Sequence, residues 1–420
     1  MRRSLLTLKA AVPLAVCLWC AAAWAGDISF YGVTDKDPLS YAPGETMTFT
    51  VSVLEDGQKV SGKNLAWTRR GDDGKTETGQ AVSDAEQPLV IRTSLDVPGF
   101  VWIRVSVVPG EGEKPQHGDK HDFNGGAGVL LDEIKGAEEP ADFDEYWVRQ
   151  KARLATVPMT VTKMEEVPSG DDSVLCYDLR VECLGMPVCG YLCLPKDAPK
   201  KSLPAHLIVL GYGVRSAKKP LREGKSEIAL EINAHGIDNG REPAYYENLR
   251  DTALKGYGFP AKSNADPELS YWNGVALRVI RALEYLKSLP QWDGNTLIVS
   301  GRSQGGFQSL LAGGLDSDVT HVKVWVPWMC DISGRALNSR VGSKFMPPWT
   351  DALGYFDSAN HAKRIKADVE ISSGLGDYVC PPSGQMVLFN NLSTSVKMTF
   401  SQGHTHGYTM PKGADYILEK

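Results

Sequence analysis

The sequence predicts a mostly parallel β-sheet with helices on both faces, preceded by a small all-β sandwich of the immunoglobulin-like kind. Two patterns carry this. Before residue 110, alternating strand-like runs are separated by Gly/Asp turns; after residue 140, short β-branched runs alternate with amphipathic helical spacing. A third observation fixes attention on one place. An apolar strand, TLIVS at 296–300, runs into the glycine-rich turn GRSQGG and then a helix.

Taken in chain order, residues 1–25 read as an export signal. Arg2, Arg3 and Lys9 give a basic start, residues 10–22 are apolar, and Ala23-Trp24-Ala25 fits a small-x-small cleavage site. The apolar run is shorter than the roughly 20 residues that span a bilayer. Val16 and Trp19 are too large for the position before a lipidated cysteine. Cleavage after Ala25, a secreted or periplasmic product and no membrane anchor are therefore expected. Residues 26–110 form the sandwich, with strands at 47–54, 64–68 and 101–107 and Trp67 as a candidate core residue. Residues 111–139 are polar and glycine-rich and read as a linker, His117 and His121 being solvated there. Residues 140–420 form the α/β domain. Its strands are expected at 207–210, 228–232, 297–300, 322–326, 369–372 and 396–400, with helices around 275–286 and from 304.

With 42% hydrophobic and 23% charged residues among 420, wholesale disorder and coiled coil are excluded, and the length suits two domains. The formal net charge of -6 points to neither nucleic acid nor an anionic membrane as partner. Six cysteines remain after cleavage. Cys183 and Cys189 flank Gly185-Met186-Pro187 and are the favoured bridge. No C-x-x-C occurs beyond the leader, so no structural zinc is expected.

The turn at 301–305 is G-x-S-x-G. A sharp strand-to-helix turn lifts a serine hydroxyl out of the sheet, and its glycines let the backbone take that turn without a Cβ clash. Ser303 is thus the candidate nucleophile. Its partners should follow in the order acid then histidine, at the carboxyl edge of the sheet. Asp377, in the turn after 369–372, is the candidate acid, and Asp331 competes with it. His404, first after the last strand and preceded by Gly403, is the candidate base; His406 is the alternative. The backbone N–H groups of Gln304 and Tyr212 are the candidate oxyanion donors. His235, Tyr271, Trp328 and Trp349 are candidate pocket residues, with Trp272 a further aromatic of that kind. No metal or organic cofactor is called for.

These residues resemble the acetyl xylan esterase / cephalosporin C deacetylase family of carbohydrate esterases. The resemblance rests on DFDEYW at 142–147, LGYG at 210–213 and RALEYLKSLPQWDGNTLIVSGRSQGG at 281–306. VPWMCDISGR at 326–335, GLGDYVCPPSGQMVLFNNL at 374–392 and GH at 403–404 complete it. It implies an α/β-hydrolase fold, Ser303, Asp377 and His404 as triad, Tyr212 and Gln304 at the oxyanion hole, and Cys330 and Cys380 near the cleft. The implied substrate is an acetylated carbohydrate, xylan or its oligosaccharides, deacetylated through an acetyl-enzyme. Three departures stand out: the leader and sandwich, the segment 233–271, and the ending GHTHG. Other readings are a glucuronoyl or feruloyl esterase, an exopeptidase, or a carbohydrate-binding protein with a dead hydrolase domain.

Overall fold

The computed structural model describes residues 26–112 and 114–420; the predicted leader lies outside the described residues. The chain opens with eight strands: β1 (Ile28–Thr34), β2 (Met47–Glu55), β3 (Gln58–Lys59), β4 (Asn64–Gly71), β5 (Thr76–Val82), β6 (Leu89–Thr93), β7 (Gly99–Val107) and β8 (Asp122–Val129). β1, β2, β3 and β6 make one antiparallel sheet, and β5-β4-β7-β8 make another. Alternation along each strand sends one face inward. Met47, Phe49 and Val51 of the first sheet share a core with Ile103, Val105 and Phe123 of the second. Trp67 is half-buried at the rim of that core rather than inside it.

The segment 111–139 is more than a linker. Residues 119–121 form a 3-10 turn, and β8 pairs with β7 along its whole length, from Gly99–Val129 to Ser106–Asp122. The glycines that suggested flexibility give β8 a flat face for close packing instead. A Cβ on Gly126 would lie 2.7 Å from the Leu375 carbonyl oxygen and 2.8 Å from that of Val101.

The rest of the chain builds one ten-stranded sheet from β9 (Val161–Glu166), β10 (Val174–Val181), β11 (Val188–Pro195), β12 (Leu203–Val209), β13 (Ile228–Ile232), β14 (Trp292–Arg302), β15 (His321–Trp325), β16 (Asp368–Gly374), β17 (Val396–Ser401) and β18 (Asp415–Glu419). The order is β18-β17-β16-β15-β14-β12-β13-β11-β10-β9. Neighbours from β13 through β17 run parallel, while β9–β11 and β18 add antiparallel edges. The helices are α1 (Phe143–Ala155), α2 (Pro243–Asp251), α3 (Tyr271–Ser288), α4 (Gln304–Leu315), α5 (Gly334–Leu337), α6 (Ser358–Ala362) and α7 (Pro382–Asn391). α3 is capped by the Ser270 hydroxyl accepting from Trp272 N, and its Val275, Val279, Leu283 and Leu286 are fully buried at helical spacing. Leu297, Val299, Val322 and Val324 are buried in the large core that this sheet shares with its helices.

All six described cysteines are buried free thiols. The favoured Cys183–Cys189 bridge is absent because the hairpin register puts Arg180 opposite Cys189, and the ladder ends at Val181–Val188, before Cys183. Cys176 and Cys193 are the pair that face each other.

Candidate active site

β14 ends at Arg302 and α4 begins at Gln304, so Ser303 alone makes the turn. Its backbone lies at φ 58° and ψ −119°, a conformation that costs a non-glycine residue on the order of 1–3 kcal/mol. Three hydrogen bonds hold it there. Ser303 N donates to Trp325 O at 2.9 Å, and Ser303 O accepts from Trp328 N at 3.0 Å and Phe307 N at 3.1 Å. The following glycines are required by close approach: a Cβ on Gly305 would collide with the Val209 carbonyl, and one on Gly306 would lie 2.8 Å from Pro327 Cα.

The ring between Ser303 and Asp377 is that of His406. Its Nε2 lies 3.0 Å from Ser303 Oγ and its Nδ1 2.9 Å from Asp377 Oδ2. The carboxylate can only accept, so Nδ1 donates and Nε2 presents its lone pair to the hydroxyl. Asp377 is 1% exposed, and its other oxygen accepts from Val379 N and Cys380 N, each at 2.9 Å. That leaves the acid in one orientation.

His404, the base expected from its place after β17, makes no hydrogen bond to either residue. Its carbonyl accepts from Gly376 N at 3.0 Å, which ties its backbone to the Asp377 turn, and burial lowers its pKa from the ordinary value. The reason is local. Gly403 at φ 71° turns the chain as it leaves β17, and Thr405 N closes a further turn on Tyr408 O at 2.8 Å. His406 is thereby carried to the serine. Asp331, the competing acid, is buried in an ion pair with Arg340 at 2.5 Å.

The two candidate oxyanion segments are joined by one hydroxyl. Tyr257 Oη accepts from Gly213 N at 3.0 Å and donates to Gln304 Oε1 at 3.1 Å, while the Tyr212 ring stacks on the Tyr257 ring at 5.1 Å. Behind them His235 Nε2 meets Gly213 O at 3.2 Å, and its Nδ1 lies 2.6 Å from Tyr271 Oη. Burial lowers the His235 pKa to about 4, so the ring stays neutral. His235 and Tyr271 therefore support the 211–213 turn from behind rather than lining the pocket.

The pocket above Ser303 measures about 330 Å³ and is walled by Tyr212, Phe259, Trp328, Phe345, Val379 and His406. Trp349 lines a neighbouring cavity of about 840 Å³ that shares Phe259 with the first. Trp272 is fully buried in the core. Sequence reading missed Tyr257, Phe259, Phe345 and Val379. The alternation Gly256-Tyr257-Gly258-Phe259, inside the divergent segment 233–271, was the available signal for two of them. As for metals, Asp377, Cys380 and His406 place ligand atoms within 4.8 Å of one another, but the carboxylate and imidazole are already bonded together.

The chain also matches known proteins. The model of the acetyl xylan esterase family matches residues 130–343 and 349–418. The chain is similar to acetyl esterase Axe7A of Xylanibacter ruminicola, at 28% identity over 349 residues, covering 80% of this chain and 76% of that one. Among solved structures it is similar to the acetyl xylan esterase of Paenibacillus sp. R4, with a TM-score of 0.55 and 25% identity over 67% of this chain and 94% of that one. Acetyl Xylan Esterase 1 of Thermoanaerobacterium sp. JW/SL YS485 shares the fold, with a TM-score of 0.53, 23% identity and coverage of 67% and 93%.

Proposed function

Since the chain belongs to the acetyl xylan esterase family and is thus a carboxylic ester hydrolase of the α/β-hydrolase type, we propose that Ser303, His406 and Asp377 form its triad. In this reading the enzyme is exported and removes O-acetyl groups from acetylated sugars, xylan fragments foremost. The observation that carries the reading is the hydrogen-bonded chain Ser303 Oγ–His406–Asp377 at the floor of a small apolar pocket.

His406 Nε2 takes the Ser303 proton as Oγ attacks the acetyl carbonyl, and Asp377 holds the ring in the required tautomer and stabilises the imidazolium. The oxyanion is received by the backbone N–H groups of Gln304 and Tyr212. His406 then protonates the departing sugar oxygen, and water, deprotonated by the same ring, releases acetate from the acetyl-enzyme. A pocket of about 330 Å³ walled by Phe259, Trp328 and Phe345 suits a methyl group, and the adjoining cavity of about 840 Å³ offers room for the saccharide. No described helix is long and apolar enough to cross a membrane.

Acetate release from acetylated xylo-oligosaccharides, beside an aryl acetate, tests the proposal. Wild type should release acetate from both and Ser303→Ala from neither. Hydrolysis of the aryl acetate alone would move the substrate away from xylan.

A further inference from the structure

The turn that carries His406 is held from two sides. On the sheet side, the Arg302 guanidinium donates to the His406 carbonyl oxygen. On the other side stands Asp119, a residue of the N-terminal β region that lies 286 and 288 positions before the two residues it holds. Its Oδ2 accepts from Thr405 Oγ1 at 2.6 Å and from Gly407 N at 3.2 Å, gripping the residues immediately before and after His406. Thr405 is buried, and its hydroxyl oxygen also accepts from Tyr408 N at 3.1 Å, which closes the turn on itself.

Asp119 is in turn fixed to the sandwich. It opens the 3-10 turn Asp119–His121. Lys120 pairs with Asp27 at 2.8 Å, and His121 Nδ1 lies 2.6 Å from the Ile28 carbonyl oxygen at the start of β1. Gln116 bonds Ile28 N at 3.0 Å and Gly26 O at 2.7 Å. Beyond the turn, Met410 is buried in the sandwich core itself. Gln402, just before it, forms a reciprocal pair with Gly126 N and O of β8, both at 3.0 Å. The acid is braced from the same side: Trp102 of β7 stacks on Tyr378, the residue after Asp377, with ring centroids 4.4 Å apart.

We propose that Asp119 is a positioning residue for His406, and that the N-terminal β region is a built-in part of the esterase site rather than a spacer or a separate carbohydrate-binding module. This rests on the reading of His406 as base. The mechanism is geometric. An unbraced turn lets the imidazole drift from Ser303, and misplacement by about 1 Å can cost on the order of 10²-fold in rate. Removing the region whole would strip the sandwich core from Met410 and β8 from Gln402, so point variants in the full chain are the informative ones.

The test is a double-mutant cycle on aryl acetate hydrolysis, with Asp119→Ala, His406→Ala and the combination, and with Asp119→Asn as the conservative variant. Asp119→Ala should lower kcat about 10- to 100-fold with KM nearly unchanged, and Asp119→Asn, which keeps an acceptor oxygen, should recover most of that loss. In the His406→Ala background Asp119→Ala should cost nothing more, because the group it positions is gone. An equal fractional loss in both backgrounds, or no loss in wild type, overturns the proposal. Full activity of His406→Ala would instead overturn the triad. Thermal unfolding of each variant separates misfolding from either result.

Discussion

Two serine–histidine–carboxylate chains begin close together in sequence, one from a serine inside β14 and one from the serine just past its end, and the second opens onto a pocket. Ser303, His406 and Asp377 are linked at 3.0 and 2.9 Å. Ser300, His206 and Glu227 are linked at 2.8 and 2.7 Å, with the same use of the two ring nitrogens. Distance therefore does not distinguish them. Ser300 is 6% exposed inside a strand, its backbone bonded into a parallel ladder beside β12 and β15. Ser303 stands one residue past the strand end, at positive φ, at the start of α4 and on the wall of a pocket. The inner chain satisfies buried polar atoms; the outer one meets solvent, a helix N-terminus and room for an ester. What sets Ser303 apart, and favours it as the proposed nucleophile, is the strand end and the strained turn.

This comparison can be broken first at the serines. Ser303→Ala should lower kcat by about 10⁴-fold or more, while Ser300→Ala should leave it within a few-fold. At the histidines, His406→Ala should approach the loss of Ser303→Ala, and His404→Ala should stay within about tenfold of wild type. The reverse pattern would return the base to His404. A smaller effect is expected at the hydroxyl that joins the oxyanion segments: Tyr257→Phe should slow turnover by about tenfold with little change in KM, checked by steady-state kinetics. For the inner chain the signature is stability. His206→Ala should leave kcat intact and cost about 1–3 kcal/mol in denaturant unfolding, because Ser300 and Glu227 lose their partner.

Buried histidines also set a pH dependence distinct from that of catalysis. Burial lowers His361 to about 3 and His235 to about 4. As pH falls through about 6.5 the unfolded chain binds protons that the folded chain refuses, so stability is lost between there and pH 4, at up to about 1.4 kcal/mol per pH unit for each ring. Asp357, buried and pushed up to about 7 from an ordinary value of 3.8, acts in the opposite sense across that whole range, since its folded form takes up a proton first. Unfolding followed at pH 7 and pH 5 should show a shallower acid loss in His361→Asn than in wild type.

Much of this was legible in the sequence. The strand at 297–300, the turn at 301–305 and the order of Asp377 and a following histidine all came from residue types and spacing, because a G-x-S-x-G turn demands local geometry. The choice between His404 and His406 did not. It depends on two successive turns at Gly403 and Thr405, and on an anchor, Asp119, that sits far back in the chain. The segment 111–139 misled for a related reason: FNGGAG has the composition of a linker, yet its Gly126 serves close packing of β8 against Leu375. Edge strands β9 and β18 carry mixed polar faces and gave no periodic signal.

Labelling with a fluorophosphonate, which reacts with activated serine, reads the nucleophile and its base in one measurement. Trypsin cleaves after Arg302, so Ser300 and Ser303 fall on different peptides. A Ser303–His406–Asp377 triad gives a label on the peptide beginning at Ser303, retained in His404→Ala and lost in His406→Ala. A label on the Ser300 peptide, or one on Ser303 that survives His406→Ala and disappears in His404→Ala, would contradict it.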